Sequence, residues 1–369
     1  MKKQMTLALG LAVISGSALA SKARLEALGE NGDGSQYIMD ARNIFLNPAQ
    51  ANYFKDMVTV EAGNTQADTD SATSPNAEGG FLRASGNMVY GVFLGHEDRT
   101  INVWKKAANT SAEIEEQNTW DFFVAGDAGV QWGANLTYAA YKNDQTANAE
   151  VETSTLRANV GVISGDTEVF LRTSLTDTAE IDNSVDFEVS SRFVLGASHN
   201  WDGGTFMLTY SAIEAEESET LDETWKDTTI NLGYGKVTKL NDSASFNWKV
   251  NYMDQKVENR DFVKNNGDEE ASALSVAMGV EVMTKEWLTL RAGISQNITS
   301  TEKNDDGDEK TADDSTVVTA GASFIWGDFQ VDGMIGNTNG TTTGENTSAG
   351  NGTLRTDSLL SRVSATYRF

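Results

Sequence analysis

The chain has 369 residues, no cysteine, two prolines, 33 glycines and a formal net charge of −26. Without cysteine a disulfide scaffold is excluded, and a zinc or thiol redox centre lacks its usual soft ligand. A charge this negative also argues against nucleic acid or an anionic surface as a partner.

In chain order the first element is a leader. Lys2 and Lys3 form a positive start, Leu7 to Ile14 is a short apolar run, and Ala18-Leu19-Ala20 stands before Ser21 as a small-residue cleavage site. The pattern predicts a secretory signal peptide over 1–20, cut between Ala20 and Ser21. No later run approaches the ~18 apolar residues of a spanning helix, so a membrane-crossing chain must cross with strands.

Residues 21–56 differ from everything after them and are expected to be an N-terminal periplasmic or luminal segment. Lys22 to Leu28 reads as a short helical turn and Gly29 to Ser35 as a glycine-rich break. Pro48 pushes its predecessor out of the helical region and gives a sheet no donor, so Asp40 to Ala49 is a fixed, non-strand stretch. This Asp, aromatic, Asn-Pro-Ala order ahead of the first strand resembles the N-terminal signature of long-chain fatty-acid and aromatic-hydrocarbon outer-membrane transporters. The chain departs from that family in lacking a long helical hatch before the motif.

From Met57 to the end, period-2 segments alternate with connectors. The short connectors are 85–87, 126–129, 164–166, 201–204, 239–242, 284–286 and 327–328. Long polar ones run over about 65–78, 98–118, 144–152, 178–186, 214–224, 257–270, 300–314 and 340–353. Short and long alternate throughout, which predicts sixteen antiparallel strands, with fourteen or eighteen as alternatives. Short turns on one rim and long, acidic loops on the other form the layout of a transmembrane β-barrel over 57–369.

The strand faces agree. Trp132, Ala134, Leu136 and Tyr138 oppose Gln131, Asn135 and Thr137, and Phe246, Trp248, Val250 and Tyr252 oppose Ser245, Asn247, Lys249 and Asn251. Aromatics gather beside the short turns, at Trp201, Phe206, Trp287, Trp326, Phe329, Tyr367 and Phe369, as a periplasmic-side girdle would. The last strand closes in Tyr367-Arg368-Phe369 and resembles the closing strand of bacterial outer-membrane barrels. That resemblance implies an assembly signal at Tyr367 and Phe369, read by the outer-membrane assembly machinery. It also implies outer-membrane localisation among phospholipid and lipopolysaccharide.

Alternation places Arg83, Arg157, Arg172, Arg192, Lys249, Arg291, Arg362 and Arg368 inside, with Glu61, Asp121, Glu188, Glu281 and Asp332. Ionised groups inside a wide barrel line water or pair across it. Sixteen-strand general porins resemble this layout, and the resemblance implies a passive pore for small hydrophilic solutes, possible homo-oligomers included. With eight cations against five carboxylates, the expected preference at the constriction is mildly anionic. Two other readings stand: a hydrophobic-ligand transporter using inward Phe81, Val89, Phe93, Phe123 and Phe170, which could equally pack against residues 21–56 as a plug, or a structural surface barrel.

Enzymatic constellations are thin. His96 and His199, the only histidines, fall near opposite rims, and His96 is expected to lack a partner. No enzyme activity, cofactor or metal centre is expected. Glu302, Asn304, Asp306, Gly307 and Asp313 follow an EF-hand-like spacing with poor first and last ligands, which reads as an acidic solvated loop with weak divalent-ion binding as the alternative.

Overall fold

The computed structural model describes residues 21–63, 76–96, 119–143, 151–181, 185–217, 224–260, 267–304, 309–311, 316–337 and 359–369. The leader expected over 1–20 and the Asp306, Gly307 and Asp313 positions lie outside the described residues.

A helix α1 (Lys22–Ala27) and two 3-10 helices (Ala41–Phe45, Pro48–Asn52) precede the strands. The strands are β1 (Met57–Gly63), β2 (Asn76–Ser85), β3 (Met88–Leu94), β4 (Trp120–Asp127), β5 (Gln131–Asn143) and β6 (Val151–Ser164). Next come β7 (Thr167–Ile181), β8 (Val185–Trp201), β9 (Gly204–Glu217), β10 (Thr224–Asn241), β11 (Ala244–Arg260) and β12 (Glu269–Lys285). The last are β13 (Leu288–Asn304), β14 (Glu309–Thr311), β15 (Thr316–Trp326), β16 (Phe329–Asn337) and β17 (Leu359–Arg368). Among the described residues, strand β14 pairs with the end of β13. The other sixteen pair antiparallel with their neighbours, and β1 pairs with β17 from Met57↔Arg368 to Gly63↔Arg362, which closes the barrel.

The seven short turns fall where the composition placed them. Gly86, Gly165, Gly203 and Gly327 carry the left-handed φ that such turns demand. Outward residues form an apolar surface of large exposed side chains, among them Leu136, Val160, Phe193, Leu232, Val250 and Ile294. Water would penalise such a belt and a bilayer would not, so the wall is a transmembrane, outer-membrane-type barrel. Trp201, Phe206, Trp287, Trp326, Phe329, Tyr367 and Phe369 are all exposed beside the short turns, several stacked on one another, as the expected girdle.

The wall is uneven in height. Strands β1, β3 and β4 have 7, 7 and 8 residues, whereas β8 and β10 to β13 have 17 or 18. A tilted strand needs about 9–11 residues to span a bilayer, so the tall side rises well beyond it on the loop rim.

Residues 21–56 lie inside. Ile44, Phe45, Ala51 and Phe54 pack on inward Leu82, Val89, Phe93 and Phe123 in one apolar cluster. Phe45 meets Phe93 and Phe123 edge-on at centroid distances of 5.3 and 5.5 Å. This segment is a plug in the half of the lumen nearest the short turns.

Candidate functional site

Two pairs of facing glycines seat the plug. Gly133 of β5 and Gly161 of β6 are register partners on the inner face. A Cβ at the first would strike the Pro48 carbonyl, and at the second the Asn47 side chain. Gly279 of β12 and Gly293 of β13 are likewise partners, and Leu28-Gly29 lies against them. The wall is thinned to bare backbone where the plug's backbone must come closest. Asn47 also caps its own 3-10 helix by accepting from the Ala49 N–H at 3.0 Å, with Pro48 at the first helical position. Its amide and that of Gln50 donate to Glu168 at 3.2 and 2.8 Å.

Between these seats, buried ion pairs hold the plug to the wall. Lys22 reaches Glu78 at 2.8 Å, and Arg42 reaches Glu78 at 2.9 Å and Glu61 at 3.8 Å. Arg24 bridges Asp40 at 3.0 Å and Glu281 at 3.1 Å. Glu281 also accepts from Arg291, which reaches Asp332 at 3.0 Å. Arg362 donates to Glu26 at 2.5 Å, and Lys249 meets Glu30 at 2.8 Å. Burial depresses the Lys22 ammonium and raises the Asp40 carboxyl, in each case against the pull of an opposite charge.

Most of the expected inner set is therefore inside but paired. Glu61, Glu281, Asp332, Lys249, Arg291 and Arg362 all engage the plug or one another. Arg157 pairs with Asp177 at 3.0 Å, both buried, and Arg192 is buried too. Arg172 lies over the inward Phe170 ring at 5.4 Å, and Arg368 falls on the inner face at the turn rim. Asp121 is fully buried and takes hydrogen bonds from Asn135 and Thr137.

Three placements are corrected. Arg83 is on the outer side, 57% exposed, where it pairs with Asp56 at 3.2 Å and covers the Phe369 ring at 5.0 Å. Phe81, two residues earlier on the same strand, is outward as well, at 45% exposure. Glu188 is exposed beside inward Val189, because a register shift between Glu188 and Ser191 breaks the alternation of β8. Conversely, Glu78, Glu168 and Asp177 join the inner set, so the expected excess of inner cations disappears.

His96 was expected to be alone and is not. Its ring stacks on Phe45 at 3.8 Å, and Nδ1 lies 3.5 Å from Asp121. His199, exposed at the turn rim, contacts only the Thr167 hydroxyl, at 2.9 Å, among its described polar partners. The two remain far apart in the barrel.

On the tall side, polarity inverts above the bilayer. The inner face there carries buried Val189, Ile213, Ala215, Trp225 and Val257, with Arg192 and Asp227 in register beside Ile213. The outer face of the same strands carries Glu188, Glu216, Lys226, Lys256 and Glu258. Below that level the same strands are apolar outside and polar inside.

No protein-family model matches the chain, and no curated protein does. Among solved structures it is similar to a loop-deleted OmpT, an outer membrane protein of Vibrio cholerae, at 9% identity over 85% of this chain and 97% of that one, with a TM-score of 0.41. It is similar to a Pseudomonas aeruginosa FadL homologue at 11% identity, 89% and 94% coverage and a TM-score of 0.37. The Pseudomonas putida toluene transporter TodX gives 11% identity, 96% and 99% coverage and a TM-score of 0.40. Likenesses this distant assign no cargo.

Proposed function

We propose that this barrel is a plugged outer-membrane channel that takes up small apolar or amphipathic molecules, received on the apolar inner face of its tall rim. The observation that carries this reading is the change of polarity on β8 to β11, where Trp225, Ile213 and Val257 turn inward above the bilayer around Arg192 and Asp227, and Glu188, Glu216, Lys226, Lys256 and Glu258 turn out. Such a face lowers the free energy of an apolar solute by about 25 cal/mol per Å² withdrawn from water. The plug supports the same reading. A passive hydrophilic pore needs water-lined charges, and the inner charges beside the plug are instead bound to it.

The test compares two observables on the purified protein. In planar bilayers the wild-type channel should show no steady ohmic conductance, and an apolar naphthylamine dye should bind and quench tryptophan emission. Trp225→Glu should abolish the dye response while leaving the barrel folded. Steady ohmic conductance together with sugar-driven swelling of proteoliposomes would establish the passive-pore reading instead.

A further inference from the structure

Four clusters of buried charge tie the plug to the wall, and three of them balance among the described residues. Lys22 and Arg42 answer Glu61 and Glu78, Arg362 answers Glu26, and Lys249 answers Glu30. The fourth is one cation short. Arg24 and Arg291 face three carboxylates: Asp40, Glu281 and Asp332. Asp40 is fully buried, and burial pushes its carboxyl up even with Arg24 beside it, so a single guanidinium does not offset its desolvation.

Two main-chain nitrogens also point at that carboxylate, and one of them, the Arg42 amide at 3.0 Å, is the neutral N-cap donor of its own 3-10 helix. The main-chain N of Ser21 donates to Asp40 Oδ1 at 3.2 Å, and Ser21 is fully buried. We propose that this nitrogen is the missing cation: removal of residues 1–20 frees an α-ammonium at Ser21 that stays inside the barrel and ion-pairs with Asp40. The inference rests on the signal-peptide reading and is independent of the cargo. In the step, signal peptidase adds water across the Ala20–Ser21 amide. The hydroxyl goes to the Ala20 carbonyl carbon, the C–N bond breaks, and Ser21 leaves as an amine that takes up a proton at neutral pH.

Two consequences follow from the geometry. Cleavage precedes docking of the plug, because a bond at a fully buried residue is closed to a protease once the plug is seated. The leader then serves as an assembly check, since only a processed chain can neutralise the Asp40, Glu281 and Asp332 cluster. The ammonium faces Asp40, which belongs to one charged cluster with Arg24 of the plug, Glu281 of β12, Arg291 of β13 and Asp332 of β16, while Glu61 of β1 accepts from the next amide, that of Lys22. Loss of the ammonium's proton removes the ion pair with Asp40, so the stabilisation it supplies is lost as pH rises through its folded pKa.

The test uses the full mature barrel purified from outer membranes. Amino-terminal sequencing should give Ser21, and any other start overturns the proposal. An amine-selective acylating reagent at pH 8 should label Ser21 at least about tenfold more slowly in the folded barrel than in the heat-unfolded chain, since reaction requires local opening. Equal rates overturn it. Mature chain refolded in detergent with a free or an acetylated Ser21 supplies the second measurement. The free-amine form should gain channel openings in planar bilayers as pH rises past the folded pKa, and the acetylated form should show them already at pH 7. Identical pH profiles for the two forms overturn the proposal.

Discussion

Gly279→Ala separates the plug from the wall by the smallest possible change. A methyl at that position would lie 2.5 Å from the Leu28 carbonyl oxygen, 3.0 Å from its carbon and 2.6 Å from Asn247 Oδ1. Ordinary contacts begin near 3.4 Å. The Leu28 backbone must therefore retreat by roughly 1 Å, and overpacking of this kind costs about 1–3 kcal/mol. The retreat also strains the 3.3 Å bond from Asn247 to Leu28 O and the neighbouring Lys249–Glu30 pair, adding about 1 kcal/mol or more. For the barrel alone the sign is opposite, because glycine in a strand interior is the weaker residue. Gly333→Ala is the control, since its new methyl meets nothing nearer than Arg362 O at 4.0 Å. In planar bilayers Gly279→Ala should open the channel in bursts, while its heat-modifiable mobility on gels stays that of a folded barrel. Gly333→Ala should remain quiet. Equal behaviour of the two variants would refute the idea that the paired glycines seat the plug.

Arg291→Met strands Asp332 without a cation in a buried site, leaves Glu281 with Arg24 alone, and should cost about 3–5 kcal/mol, read as a lower temperature for loss of the heat-modifiable form. Deleting Phe369 should reduce the amount of folded barrel in the outer membrane, whereas Arg83→Ala, which removes only an exposed cation–π and ion-pair contact, should change stability by about 1 kcal/mol or less. Protease added to intact cells should cut in the connectors 218–223 or 261–268 and spare Trp201 to Gly204; cleavage at the latter would invert the topology.

What was legible in the sequence follows a physical rule. Turn chemistry and strand alternation are local, so the strand number, the girdle and most inner faces could be read directly. Errors fell where the local signal is silent. On β2, Gly79-Gly80 carries no polarity pattern, and Arg83 lies two residues from the turn, at a rim where an outward cation is tolerated. On β8, a bulge shifts the parity between Glu188 and Ser191 without any mark in composition. His96 lies beside a carboxylate on the neighbouring strand, Asp121, which is 25 residues away in the chain. The plug's ion pairs join positions as remote as Arg24 and Glu281, or Glu26 and Arg362, which no window of the sequence connects. Inward glycines at register partners were a usable signal: a strand residue that packs nothing implies that something else must fill the space.

The same pairing also constrains how the molecule can assemble. Emptied of residues 21–56, the wall would hold Glu61, Glu78 and Glu281 without their plug cations, and Lys249 and Arg362 without their plug carboxylates. Water could solvate them, but Leu82, Val89, Phe93 and Phe123 would then be wetted as well. The junction between plug and barrel is itself part of the seam. Asp56, at a left-handed φ of 60°, accepts from the Phe369 N–H through its carbonyl at 3.1 Å and from the Ala84 N–H through its carboxylate at 3.1 Å. The residue that ends the plug therefore bonds both to β2 and to the last residue of the chain. Closing β1 on β17 and seating the plug are thus coupled through one residue, so a chain that closes with its plug outside must leave Asp56 and the seam mismatched.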